Sequence, residues 1–403
     1  MTLPLRSEDL ALLRPWFDPF DPGLHEDPYS RYERAREATP VCPGPYGLRV
    51  FTRHRDVSAA LRDNRLGHGE PTSEKRIFSF LGQDPPGHGP LRRLAAQFLG
   101  PQAISALEPR IAGYVDELLE VMLAQRSADV LTDFAYPLSL RVIGSLFAIP
   151  QADQPWIRAQ TPPIGRLLDP PYSISEADRT AARKAAAVLV AYLHQKIGER
   201  RRSPGPDVLS ALIAAADSGG SFTRRELIPM CSLLLLAGYE TTANIIANAV
   251  LALLEHPQQL RQARSRLVDG QLVPRAVDEL ARYDSSVQVT FRTVQARARL
   301  GGVELAEGER VALLIGSANR DPRVFERPDQ LDLDRSPNPH LSFGAGIHYC
   351  LGSPLARLET GVALGRLLQR SRSIELDSDR LRHKNLAATL RGLEALPVRV
   401  TAA

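Results

Sequence analysis

From residue 88 onward, apolar positions recur at three- and four-residue spacing. This predicts helices over 88–98, 101–126, 134–148, 151–160, 177–202, 206–217, 224–255, 257–267 and 273–283. Before that point, Asp27 to Ala38 and Asp56 to Asp63 read as helices, and Gly47 to Thr52 as a strand of partly alternating character. Residues 64–83 carry few signals and read as a loop with a helical piece. The segment 292–315 turns to strands, with Gly301-Gly302 and Glu307-Gly308 as turn signals. A loop over 317–346 leads to a last long helix, Leu351 to Leu368, and to short strands near 374 and 396–400. No repeat or low-complexity linker interrupts this order. The expected architecture is mainly α with small β-sheets, as one domain over 1–403.

The 224–255 helix stands out. Thr223 and Glu226 have the spacing of a capping box, and Leu227 to Leu254 contains a single charged residue, Glu240. A run this long has the length of a membrane span. Glu240, Thr241, Thr242, Asn244 and Asn248 in its middle and second half favour a buried central helix. Pro229 is expected to bend or loosen its first turns.

Composition narrows the class. With 43% hydrophobic residues the chain can bury a large core, and a net charge of +4 is mild. No dense basic tract with interleaved aromatics suggests nucleic acid. Lysine stands only at 75, 184, 196 and 384 among 50 basic residues, an arginine bias compatible with a GC-rich genome. Cys42, Cys231 and Cys350 are too scattered for a disulfide framework or a Cys-x-x-Cys zinc site, which fits a reducing compartment. Met1 to Arg14 lacks a long apolar stretch, so neither a leader nor an anchor is expected, and a cytoplasmic protein is.

The densest chemical signal is Phe343-Gly344-Ala345-Gly346-Ile347-His348-Tyr349-Cys350-Leu351-Gly352. A cysteine framed by glycines precedes a helix with Pro354 in its first turn. The helix N-terminus would favour its thiolate. A thiolate in a glycine-cleared pocket suits iron; a buried structural cysteine in a glycine-rich turn is the plain alternative. The string resembles the haem loop of the cytochrome P-450 family, Phe-x-x-Gly-x-His/Arg-x-Cys-x-Gly, with matches at Phe343, Gly346, His348, Cys350 and Gly352. The resemblance covers roughly 27–400. It implies a haem b held between the central helix and the helix after Cys350, with Cys350 as axial thiolate.

Further segments resemble the family. Ala237-Gly238-Tyr239-Glu240-Thr241-Thr242 matches its oxygen-activation motif. Small Ala237 and Gly238 would leave room over a flat cofactor, and Glu240 beside Thr241 could relay protons through water. Asp84-Pro85-Pro86-Gly87-His88-Gly89-Pro90-Leu91-Arg92 resembles a propionate-binding segment, with His88 and Arg92 one turn apart. By resemblance Arg292 and His348 complete that clamp. Glu279 and Arg282 form a Glu-x-x-Arg pair on one helix face, assigned a structural role. Its downstream arginine is Arg327 or, as second choice, Arg335. Ser286 departs from a frequent proline and Gln83 from a frequent apolar residue. Thr161 to Tyr172, rich in proline, falls at the family's lid.

The resemblance implies a monomeric monooxygenase that uses O2 on an apolar small molecule. Electrons would come from NAD(P)H through a ferredoxin and its reductase, since the chain has no flavin or iron–sulfur segment. A peroxide-driven relative would usually lack the Glu240-Thr241 pair, and a non-enzymatic haem-binding domain would not need it. Arginine bias and layout suggest a tailoring step in bacterial natural-product biosynthesis. Substrate choice is expected from 64–83, 161–175, Leu233 to Thr241, Val287 to Phe291 and Thr389 to Leu393, with Arg76, Arg166 and Arg391 as candidate polar partners.

Overall fold

The Arg224–Glu255 helix runs unbroken through the middle of the protein, and most of the fold is arranged around it. Its start forms the expected box: the Thr223 N–H donates to Glu226 Oε2 at 2.7 Å. It continues through Pro229. It is the one helix among the described residues long and apolar enough to cross a membrane, but 72% of its most apolar window is buried in the protein. In this computed structural model the described residues are 17–69, 75–125, 127–219, 222–377, 381–384 and 388–403. The expectation for Met1 to Arg14 and the middle of the 64–83 loop lie outside them, as does the side chain of Arg76.

Helices Tyr136–Leu146 and Ser353–Arg370 pack on the central helix, and Pro274–Tyr283 joins them. Their apolar faces merge in one large core. The predicted 101–126 helix is two, Pro101–Ser105 and Glu108–Ala124. Pro109 has no N–H to offer the Ser105 carbonyl, so the first helix stops there. The 151–160 helix instead extends over Gln154–Gly165, through Pro162 and Pro163. The Thr161 hydroxyl donates to the Arg158 carbonyl at 3.2 Å, the acceptor that Pro162 cannot serve.

Five strands form the larger sheet, in the order Val41–Pro43, Arg49–Phe51, Arg310–Leu314, Val289–Val294 and Leu66–Gly67. Arg49–Phe51 and Arg310–Leu314 run parallel and the other pairs antiparallel. A smaller sheet joins Ser371–Leu376, Pro397–Ala402 and Ser127–Asp129. The Cys350 loop packs against the His54–Arg62 helix. Both Gly344 and Gly346 take positive φ, +71° and +70°. A Cβ on Gly346 would lie 2.3 Å from the Leu61 carbonyl oxygen. At Gly346 a side chain is therefore excluded by the approach of the His54–Arg62 helix, whatever else the loop holds.

Candidate active site

Between the central helix and the Cys350 loop lies a cavity of about 360 Å³. Its lining includes Ala237, Gly238, Glu240 and Thr241 on one side and Phe343, His348, Cys350 and Gly352 on the other. The motifs far apart in the chain thus share one space. Cys350 is accessible and lines this cavity, so its open face is the cavity itself. Its N–H donates to the Phe343 carbonyl at 2.8 Å, which fixes the loop's curl. A Cβ on Gly352 would meet nothing within 4 Å, so space beside the sulfur is open.

The Cys350 thiol does not follow the simple dipole argument. Desolvation by the walls of the cavity pushes it above its ordinary value; the Gly352 and Ser353 amides, with Arg92 and Arg357, pull it back only in part. Without a cation the thiol form is favoured, and a metal ion would reverse this. Phe343 braces the loop, packing with Ile245 and Ala356, while the Arg357 guanidinium lies 4.4 Å over its ring.

Gly238 lines the cavity and also serves packing. A Cβ there would come within 2.7 Å of Ile143 Cδ1, so its missing side chain admits the Tyr136–Leu146 helix. Beside it, the Thr241 hydroxyl donates to the Ala237 carbonyl at 2.9 Å. Glu240 is 7% exposed, and burial raises its carboxyl above the ordinary value while Lys384 draws it back. Lys384 donates to the Tyr136 hydroxyl, and both it and Arg158 stack 4.5 Å from the Tyr136 ring. No local pattern marks this surround, because it comes from three distant segments.

At the cavity's edge the basic residues converge. The His88 and His348 rings are 4.4 Å apart, and His68, unforeseen in the sequence, sits 4.7 Å from His348. Arg92 donates to the Tyr349 carbonyl at 2.6 Å. Arg292 is buried, donating to Thr290 Oγ1 and the Phe291 carbonyl, each at 2.8 Å. Burial lowers its guanidinium to about 10, against the pull of Asp84. Burial lowers His88 to about 4, helped by His348 and Arg92. Asp84 is 3.9 Å from His348, beyond hydrogen-bond length, and accepts from the His68 and Gly69 amides. His88 Nε2 and His348 Nε2 are buried with no hydrogen-bond partner. Buried cations and donors lacking a bonded carboxylate suit an incoming anion. These residues would therefore fit an anionic cofactor, with the Cys350 thiol free to ligate a metal that it carries.

The Glu279–Arg282 pair lies beneath this loop, both side chains 0% exposed, with bonds of 2.7 and 2.9 Å. Its third member is Arg335, which donates to Glu279 at 3.0 and 3.1 Å. The preference for Arg327 is corrected: that residue adopts φ +46°, and its side chain points outward beside Glu326. Arg166 and Arg391 do not face the cavity either. Arg166 pairs with Asp169 and Asp178, and Arg391 with Asp284.

The family model for cytochrome P450 matches residues 166–388. Cytochrome P450 107B1 of Saccharopolyspora erythraea is 36% identical over 94% of this chain and 96% of its own. The chain belongs to the cytochrome P450 family. Polyketide biosynthesis cytochrome P450 PksS of Bacillus subtilis is 35% identical, covering 95% of this chain and 98% of that one. The solved structure of P450BioI with hexadec-9Z-enoic acid ligated acyl carrier protein superposes with TM-score 0.87 at 35% identity, covering 94% of this chain and 100% of that one. As a cytochrome P450 the protein is a haem-thiolate monooxygenase, with a mainly helical fold and small sheets.

Proposed function

We propose that the Cys350 thiolate would ligate the iron of a haem b and that this P450 oxidises a neutral, apolar small molecule in natural-product tailoring. The observation that carries the reading is the convergence of Thr241, Cys350 and the basic cluster on one cavity. His88, Arg92, Arg292 and His348 would hold the propionates, with Phe343, Gly346 and Gly352 shaping the loop and Ala237 and Gly238 the opposite face. When bound, the haem supplies activation of O2 and delivery of one oxygen atom to the substrate.

The chain's own residues supply protons and shape. Thr241 keeps its hydroxyl at the cavity wall through its bond to Ala237. From there it can hand its proton into the cavity and be reloaded. Glu240, whose carboxyl burial raises above its ordinary value, is the adjacent source. The substrate walls are apolar: Phe78, Phe80, Ile143, Leu233 and Leu390 are among them. No arginine outside the propionate cluster lines the cavity among the described residues, so a free carboxylate would lack a partner there. Electrons would arrive from a ferredoxin and its NAD(P)H-dependent reductase. The relatives' polyketide and acyl-carrier names support a natural-product role, and the chain acts as one domain and a monomer in this reading.

The test is the absorption spectrum of the reduced, CO-bound protein. Wild type should give the red-shifted thiolate band, and Cys350→His should lose it. A histidine-type band in well-folded wild type would overturn the assignment. For the relay, Thr241→Ala should raise peroxide released per NAD(P)H consumed; unchanged coupling would overturn that part.

A further inference from the structure

Asp169 sits at the end of the lid, just after Leu167 and Leu168, and is 2% exposed. It does not line the cavity. Its two oxygens accept from Ala388 N at 2.9 Å, Thr389 N at 3.1 Å and Thr389 Oγ1 at 3.0 Å. Arg166 lies 3.5 Å from it. The 388–391 turn is fixed on its other side as well. Gln288 N donates to the Thr389 carbonyl at 2.9 Å, and Arg391 N to the Ser286 carbonyl at 2.8 Å. A polar chain therefore links lid, C-terminal turn and the Ser286–Gln288 wall.

Each link neighbours cavity-lining residues: Leu167 and Leu168, then Thr389 and Leu390, then Ser286 and Val287. The lid would otherwise rest on the roof by apolar contact, which is non-directional and tolerates sliding. A buried carboxylate taking three donors is directional, and charge-assisted bonds are about twice as strong as neutral ones. It also suits only one register, because each oxygen has its own donors.

We propose that Asp169 is a specificity-positioning residue. It ties the lid to the C-terminal turn, fixes the spacing of the pocket roof and so limits the bulk of ligand admitted. The proposal rests on reading the cavity as the substrate pocket over the haem. Asp169→Asn tests the tie with little change of shape. Its amide can keep an oxygen toward Thr389 but turns an NH2 toward the Ala388 N–H, so a donor meets a donor. Thr389→Val removes one bond and keeps both backbone ones.

The experiment uses holoenzyme, with imidazole and clotrimazole as small and bulky probes read by absorbance, and hydrogen exchange followed by mass spectrometry. In Asp169→Asn, exchange should rise together in 164–173 and 388–391. The clotrimazole-to-imidazole affinity ratio should shift about tenfold toward the bulky azole, equivalent to about 1.4 kcal/mol. Imidazole itself should bind within twofold of wild type. Thr389→Val should move both readouts in the same direction by less, and it carries the test if Asp169→Asn does not fold. Exchange unchanged in 164–173, or a ratio within twofold of wild type, overturns the proposal. A wild type that shows no azole shift sinks the haem reading instead, while the exchange measurement still decides the tie.

Discussion

Replacing Arg335 by methionine should destabilise the protein far more than the same change at Arg327. Glu279 is fully buried and holds two guanidinium groups, Arg282 at 2.7 and 2.9 Å and Arg335 at 3.0 and 3.1 Å. Arg335 also donates to the carbonyls of Glu326, Arg327 and Gln330. Its removal leaves a buried carboxylate with half its cationic partners and takes a donor from three carbonyls, of which Gln330 keeps Arg282 and Arg327 keeps the Gln330 N–H. Breaking one side of a buried pair costs about 3–5 kcal/mol. Glu279 keeps Arg282, Asn338 and the Asp332 amide, which places the expected loss near the lower figure, about 3 kcal/mol. Arg327 is 64% exposed, and its loss should stay within about 0.5 kcal/mol. The assay is urea unfolding of both variants followed by far-ultraviolet circular dichroism. Equal midpoints, or a larger shift for Arg327→Met, would refute the assignment of Arg335 as the third member.

Three other outcomes follow from buried groups and close approaches. Glu359 is fully buried, accepts from Ser139 Oγ at 2.5 Å, and burial raises it from 4.5 to about 8. A raised acid holds its proton more tightly when folded, so its contribution to stability is fully present below pH 4.5 and is lost as pH rises toward 8. Glu359→Gln should therefore gain on wild type by up to about 1.4 kcal/mol per pH unit over that window, measured by paired urea titrations; a constant difference would count against it. Gly238→Ala should cost about 1–3 kcal/mol through its clash with Ile143, and Ile143→Ala should relieve part of that cost in a double-mutant cycle; strictly additive losses would exclude the contact. Arg292→Leu should speed haem transfer to apomyoglobin, and a rate equal to wild type would remove Arg292 from the propionate clamp.

Local signals were readable where one segment decides its own structure. The central helix is bounded as expected because its capping box lies at one end and His256-Pro257 at the other. One local signal was overlooked: Asp269-Gly270, with φ +51° and +74°, makes the tight turn of the Leu267–Val268 and Gln271–Leu272 hairpin. Strand Ser127–Asp129 had no such signal, since its partner Pro397–Ala402 lies at the far end of the chain. In the site, the family resemblance pointed to Cys350, Thr241 and Glu279 but not to what surrounds them.

The glycines show why. A motif says that a side chain is forbidden at Gly238 and Gly346, not which neighbour forbids it. At both positions that neighbour is protein, Ile143 and the Leu61 carbonyl, whereas at Gly352 the space is open. The same fixed positions thus divide into two kinds. Gly238 and Gly346 bring the central helix and the Cys350 loop to their packing partners, Ile143 and Leu61. Gly352 leaves room inside the cavity. A substitution at the first kind should cost stability as well as reshape the site, whereas at Gly352 an added methyl meets no protein atom. The motif lets both be found, but only the packing tells them apart.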